Sequence, residues 1–193
     1  MKDVNFENTQ NLMEEFGPKY TNTALTIKNL FQKKLRWKTV EFVFNVIPEP
    51  SHRPRLSGCR IYVPGAAKHQ AYFHKNILPE LNGLFITTPC KVDCKIFCQT
   101  PKSMSKVQKL LAEMGVIRPW GHIGDVDNYL KSYMDAIQPN EKRGHIGLMA
   151  DDCLVIDSTV GKYYSITPRV EMRISFMGKL PDELAKILRI TGN

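Results

Sequence analysis

The chain has 193 residues, enough for one domain with a real core and an appendage. Its composition is 42% hydrophobic, as expected of a globular protein, and no apolar run is long enough to span a bilayer. Lys and Arg outnumber Asp and Glu by 27 to 19, and this net charge of +8 favours polyanionic partners. The opening stretch, MKDVNFENTQNLMEEF, is polar and acidic and lacks the regions of a secretion signal, so a cytoplasmic location with no membrane partner is expected.

Residues 1–38 read as a helical or partly disordered extension. Leu25, Ile27, Leu30, Phe31 and Leu35 recur at near-helical spacing, and Lys33, Lys34, Arg36 and Lys38 mark its end. Residues 40–47 read as a strand stopped by Pro48 and Pro50. From Pro50 to Pro79 there is no Asp or Glu. Arg53, Arg55, Arg60, Lys68 and Lys75 fall there, interleaved with Tyr62, Tyr72 and Phe73. A phosphate-binding surface fits this segment, and a solvated basic face is the plainer alternative. Residues 66–81 carry a helical pattern with Ala67, Ala71, Ile77 and Leu81 inward.

Cys90, Cys94 and Cys98 invite a metal reading by their spacing. However, positions 90–98 alternate Cys, Val, Cys, Ile, Cys with mostly charged residues, which is a strand with one buried face. Residues four apart on a strand lie about 13 Å from each other, too far to share one ion. They are expected to be buried thiols, and five cysteines form no secreted-type framework. Ser103 reads as the N-cap of a helix to Met114, ended by Gly115. Arg118–His122 forms a loop leading into the sequence Asp125-Val126-Asp127-Asn128.

The helix that follows is the best defined. Tyr129, Leu130, Tyr133, Met134 and Ile137 form one apolar stripe, with Asp127 or Asn128 as N-cap and Pro139-Asn140 as the stop. Asp151-Asp152 precedes a strand at 154–156. Residues 169–176 read as its hairpin partner across a turn containing Gly161-Lys162-Tyr163-Tyr164. Residues 182–190 read as a short closing helix.

Carboxylates concentrated at one point of a basic chain call for a compensating charge, and a divalent metal is the natural one. Magnesium takes oxygen ligands, commonly one or two carboxylates with waters and a substrate phosphate. Asp125 and Asp127, two apart in an extended approach, would point the same way. Lys131, four residues after Asp127, shares its helix face and can stabilise charge on a phosphate. Asp135, a further turn along, would orient Lys131. Taken singly, Asp127 is most simply a helix cap and Asp151-Asp152 most simply a turn. As local roles these do not account for the ordered set.

That set resembles the RusA-type Holliday-junction resolvases of bacteria and phages. The resemblance rests on Asp125-x-Asp127-Asn128, Lys131, Met134-Asp135-Ala136-Ile137 and Asp151-Asp152. It extends to Pro48-x-Pro50-Ser51 with its Arg-rich loop, and to Lys162-Tyr163 with 168–174, covering roughly residues 40–178. It implies an α+β fold, a small mixed sheet with helices packed on it; the N-terminal helical extension and the Ser103–Met114 segment are not part of the family's minimal core. The nuclease domain would span 39–180 and a tail 181–193. It also implies a homodimer in a bacterial or phage-infected cell that nicks four-way DNA junctions symmetrically in recombination and repair. The cofactor would be Mg²⁺, with Mn²⁺ as an alternative. Asp125, Asp127 and Asp152 match the metal-binding carboxylates, Lys131 the catalytic lysine and Asn128 the amide of the motif. Asp151 stands beside this set. The family usually has proline or a basic residue where this chain has Gly124; Arg118, His122 and His145 are nearby substitutes, and Arg118 joins the DNA-binding candidates. The other readings are a related nuclease acting on different branched DNA, or a non-catalytic DNA-binding or phage-structural protein. A haloacid-dehalogenase-like phosphotransferase needs an apolar strand running into Asp125, and residues 120–124 are not one.

Overall fold

Strand alternation organises the fold. In β4 (Cys90–Gln99) the residues Cys90, Val92, Cys94, Ile96 and Cys98 are all buried, and the residues between them are not. The expected buried thiols are therefore where alternation places them, and burial pushes the Cys94 thiol up to about 12. This computed structural model describes residues 6–51, 55–57, 60–62, 66–121, 123–141 and 144–178. The expected closing helix at 182–190 lies outside them.

Contacts divide the chain into two units: Met1–Trp37 with Met177–Asn193, and Lys38–Phe176. The first contains α1 (Phe6–Lys34), which breaks at Gly17 (φ 79°, ψ 174°) just before Pro18. Gly17 is suited to this break because it has no Cβ to oppose positive φ. Within the same unit Gly178 N donates to Arg36 O at 2.8 Å.

The second unit holds a four-stranded sheet in the order β1–β6–β4–β5. Its strands are β1 (Trp37–Phe44), β4, β5 (Val155–Ser165) and β6 (Arg169–Met177). β4 runs parallel to β5 and antiparallel to β6, so the sheet is mixed. The architecture is α+β, as expected. Two expectations change. Residues 161–164, read as a turn, continue β5, and β6 is not its hairpin partner because β4 lies between them. The short connection from Ser165 to Arg169 steps across β4. β1 also ends at Phe44, before the predicted limit at residue 47.

One face of the sheet carries the core. Phe42 and Phe44 of β1 and Val170, Met172, Ile174 and Phe176 of β6 are buried with the β4 residues. Helices cover this face. α2 (Ala66–Tyr72) runs into a π turn (Phe73–Ile77) and a 3-10 turn (Leu78–Leu81), which together fill the predicted 66–81 segment. α4 (Val126–Ile137) carries the predicted stripe, and Tyr133 meets Phe44 edge-on at 4.9 Å. Truncating a buried aromatic of this kind costs about 3–5 kcal/mol. The other face is polar, with surface ion pairs such as Arg173–Glu41 at 2.6 Å.

The remaining elements are short. β2 (Arg55–Ser57) pairs antiparallel with β3 (Arg60–Tyr62) inside the segment read as a basic loop. α3 (Lys106–Glu113) is capped by Ser105 rather than Ser103. Ser105 and Gln108 form a reciprocal capping box, which fixes the start two residues later than composition suggests.

Candidate active site

α4 delivers the carboxylates. Its N-cap is Asp125, extended at φ −81°, ψ 151°, and not Asp127 or Asn128; Asp127 falls within the first helical turn. Asp125 and Asp127 are therefore not two residues of one extended run, so strand alternation does not relate them. Both are exposed, and the Asp125 carboxylate makes no capping hydrogen bond. Losing such a bond typically costs about 0.5–2 kcal/mol, so the position forgoes a common stabilisation. Among the described residues neither carboxylate has an ion-pair or hydrogen-bond partner. Both lie where the helix dipole favours negative charge.

Asp151 has a local role. Its carboxylate accepts from Cys153 N at 2.8 Å and caps the 3-10 turn Asp152–Leu154. The Cys153 backbone N–H, the Cys153 side chain and then Asp152 hold its carboxyl below the usual range. Asp152 is exposed and turned to a different use: it acts electrostatically on Asp135 of α4. Asp135 is half-buried. Burial raises its pKa, Lys131 lowers it and Asp152 raises it further. Lys131, Asp135 and Asp152 thus share one neighbourhood, although no ion pair joins Lys131 to Asp135.

Asp125 and Asp127 therefore stand at the start of α4, and Asp152 stands near Asp135, in its last turn. Among the described residues no group of three or more His, Cys, Asp or Glu is arranged to hold a metal ion. The donor chemistry itself fits one. Magnesium commonly takes only one or two carboxylates, the rest being water and phosphate, and Asp125 and Asp127 offer unengaged oxygens.

The approach to Asp125 is held at several points. Tyr129 Oη donates to Ile123 O at 2.6 Å, and Lys162 Nζ donates to Gly124 O at 2.6 Å. Gly124 sits at φ +89°, and a Cβ there would lie 2.9 Å from Pro50 Cγ and 3.3 Å from Tyr129 Cε2. Glycine meets both constraints, the positive φ and the close approach. Ser51 N donates to Asn128 O at 2.9 Å, so the strand-to-hairpin segment begins against the first turn of α4.

The basic candidates divide. Arg55 and Arg60 lie on β2 and β3, with Ser57 opposite Arg60. Lys75 is exposed on the π turn. Lys68 pairs with Glu49 at 2.8 Å, so its charge is shared. Arg118 is also engaged. It donates to Gly115 O and Lys162 O and lies 4.0 Å over the Tyr163 ring. Tyr163 stacks on Phe97, and Arg169 covers the far side of Phe97 at 3.8 Å. Arg53 and His122 lie outside the described residues. The His145 ring lies against His74, centroids 4.1 Å apart and tilted by 33°. The sequence places Tyr129 on an apolar stripe and Lys162 in a turn, and shows for neither the hydrogen bond that holds this loop. A polar residue at a core-facing strand position is the signal for Lys162, but it emerges only once 161–164 is known to be strand.

The fold is an α+β domain with two exposed carboxylates at the start of one helix. The family profile Endodeoxyribonuclease RusA matches residues 45–175. The chain belongs to the RusA endodeoxyribonuclease family. It is also similar to "Uncharacterized protein YqaN" of Bacillus subtilis (strain 168), 42% identical over 91 residues, which are 46% of this chain and 58% of that protein. The match thus spans a little over half of that relative. No described helix is long and apolar enough to cross a membrane.

Proposed function

We propose that this protein is a divalent-metal-dependent endonuclease that hydrolyses phosphodiesters in branched DNA, four-way junctions above all. It would act in recombination and repair as a homodimer, whose two-fold symmetry would place two cuts symmetrically. The observation that carries this reading is the pair of exposed, unengaged carboxylates, Asp125 and Asp127, at the start of α4 in a RusA-family chain.

Asp125, Asp127 and Asp152 would hold Mg²⁺ or Mn²⁺. The bound ion would supply Lewis-acid stabilisation of phosphate charge and a more acidic water. Lys131, exposed one turn after Asp127, would neutralise charge accumulating on the phosphate under attack. Asn128 accepts from Ser51 N through its own carbonyl, so the segment that leads to the basic hairpin starts beside the proposed cutting site. Arg55, Arg60 and Lys75, with Arg53, would grip the DNA arms.

The test is nicking of a synthetic four-way junction with and without Mg²⁺, beside linear duplex and single strand. Wild type should nick only with metal and prefer the junction. Asp127→Asn should abolish nicking while keeping or tightening junction binding, because a charge that repels phosphate is gone. Wild-type nicking by Asp127→Asn would overturn the site. A non-catalytic DNA-binding protein is the second reading, favoured by the absence of a gathered three-carboxylate group among the described residues. Junction binding without metal-dependent nicking would select it.

A further inference from the structure

The segment from Lys102 to Trp120 exposes apolar surface that the proposed chemistry does not use. Val107, Leu110 and Met114 recur at i, i+3 and i+7 along α3 and its C-cap, and each is more than 60% exposed. Trp120 is 85% exposed, the highest value among the described large hydrophobic residues. It is not on a loose tether. Arg118 before it is bonded at both ends of its guanidinium, and Pro119 is buried. The loop therefore holds the indole outward.

Charge points to the occupant. Lys102, Lys106, Lys109 and Arg118 lie in this segment against one acid, Glu113. The Glu113 carboxylate is turned away, accepting from Ser165 Oγ at 3.3 Å and Ile166 N at 2.5 Å. An exposed indole in a basic segment is complementary to a base with its phosphates, because every base offers a π face and every nucleotide a negative charge. Position agrees. Five residues of backbone link Trp120 to Asp125, a span of at most about 18 Å. At a rise of about 3.4 Å per base pair, that is within about five pairs of the proposed cut.

We propose that Trp120 is a stacking platform for a base left unstacked at an opened DNA branch point, with the α3 lysines following the adjoining phosphates. This rests on the nuclease reading and adds to it the residue that tells branched DNA from duplex. An intact duplex keeps its bases stacked and offers the indole nothing, whereas an opened branch point leaves the pairs at its centre without a stacking neighbour.

The experiment uses the full chain with Asp127→Asn, so that DNA is bound but not cut, and Trp37→Phe, so that Trp120 is the single emitter. Labelled four-way junction and linear duplex are titrated, reading DNA anisotropy and tryptophan emission together. Trp120 emission should fall on binding the junction and barely change with duplex. Trp120→Ala should lower the junction-over-duplex preference by about tenfold, and Trp120→Phe should retain most of it. Tight junction binding with unchanged emission, or an unaltered preference in Trp120→Ala, overturns the platform and leaves the nuclease reading standing. An emission change that follows protein concentration without DNA assigns the surface to a second copy and also overturns it. Failure to bind any branched DNA sinks both.

Discussion

Lys162 Nζ donates to the carbonyl of Gly124 at 2.6 Å, and the Lys162 carbonyl accepts from Arg118 Nη1 at 3.4 Å. One strand residue thus holds both ends of the loop that delivers Asp125. Lys162 pairs with Ile96 and so faces the core side, whereas Tyr163, under Arg118, pairs with Phe97 on the other face. β5 is an edge strand, so the loop wraps the edge of the sheet and is gripped on both sides. Lys162→Met should lose one charge-assisted hydrogen bond, about 1.5–3 kcal/mol of stability. Nicking should fall about tenfold to a hundredfold through misplacement of Asp125. Lys162→Arg should recover part of the rate. Calorimetry and single-turnover nicking check this; a Met variant that is less stable but nicks at the wild-type rate would show that the clamp serves folding alone.

Gly124 is the next link in that chain. Its φ of +89° and the 2.9 Å approach to Pro50 Cγ leave no room for a side chain. Gly124→Ala combines backbone strain of about 1–3 kcal/mol with displacement of Pro50 or of the Asp125 backbone. It should lower both melting temperature and nicking rate, whereas Gly144→Ala, at φ +65° with open space, should lower stability alone. A Gly124→Ala variant with native melting and native rate would refute the tight approach.

These contacts mark the limit of what the sequence makes legible. α4 and β4 could be read because their signals are local: an apolar stripe in one, strict alternation in the other. The position of Asp127 beside Lys131 followed from helical period alone. The far half of β5 is not legible because Gly161-Lys162-Tyr163-Tyr164 has turn-like composition, and its strand character comes from pairing with residues 95–98, far off in the chain. The same non-local pairing hides the separation of β5 from β6 by β4. Lys162 gained its partner only from that register, and the placement of Asp152 beside Asp135 depends on how the 3-10 turn returns to α4.

Asp135 reports on that return. Burial raises its carboxyl above the ordinary value, Lys131 opposes the rise and Asp152 adds to it. Carbon-detected NMR titration of the side-chain carboxyls should find Asp135 above 3.8. Asp152→Asn should move it down, and Lys131→Met should move it up. A charged Asp135 is disfavoured by the fold, so Asp135→Asn should leave stability at neutral pH unchanged or higher. An Asp135 titration that ignores both substitutions would separate Asp152 from α4 and remove it from the proposed metal set.

The α2–α4 contact carries a proton-sensitive group. His69 is fully buried; Nδ1 lies 3.1 Å from Ser132 Oγ and the ring stacks on Tyr133 at 4.6 Å. Burial lowers its pKa from 6.5, Glu49 partly offsets this and Lys68 adds to it. Unfolded, the imidazole titrates at its ordinary value; folded, it resists the proton. Between the two values the unfolded chain binds a proton that the folded chain does not, so stability is full above 6.5 and falls as pH drops below it. The slope from this residue is at most about 1.4 kcal/mol per pH unit. His74, lowered by burial and by His145, adds a loss of the same sign. Urea melts from about pH 7.5 to about pH 5 should therefore show progressive destabilisation. His69→Gln should flatten the curve in part, and His69→Gln with His74→Gln should flatten it further. A chain that gains stability toward acid, or a His69→Gln slope equal to wild type, would mean that His69 takes its proton without leaving the α2–α4 contact.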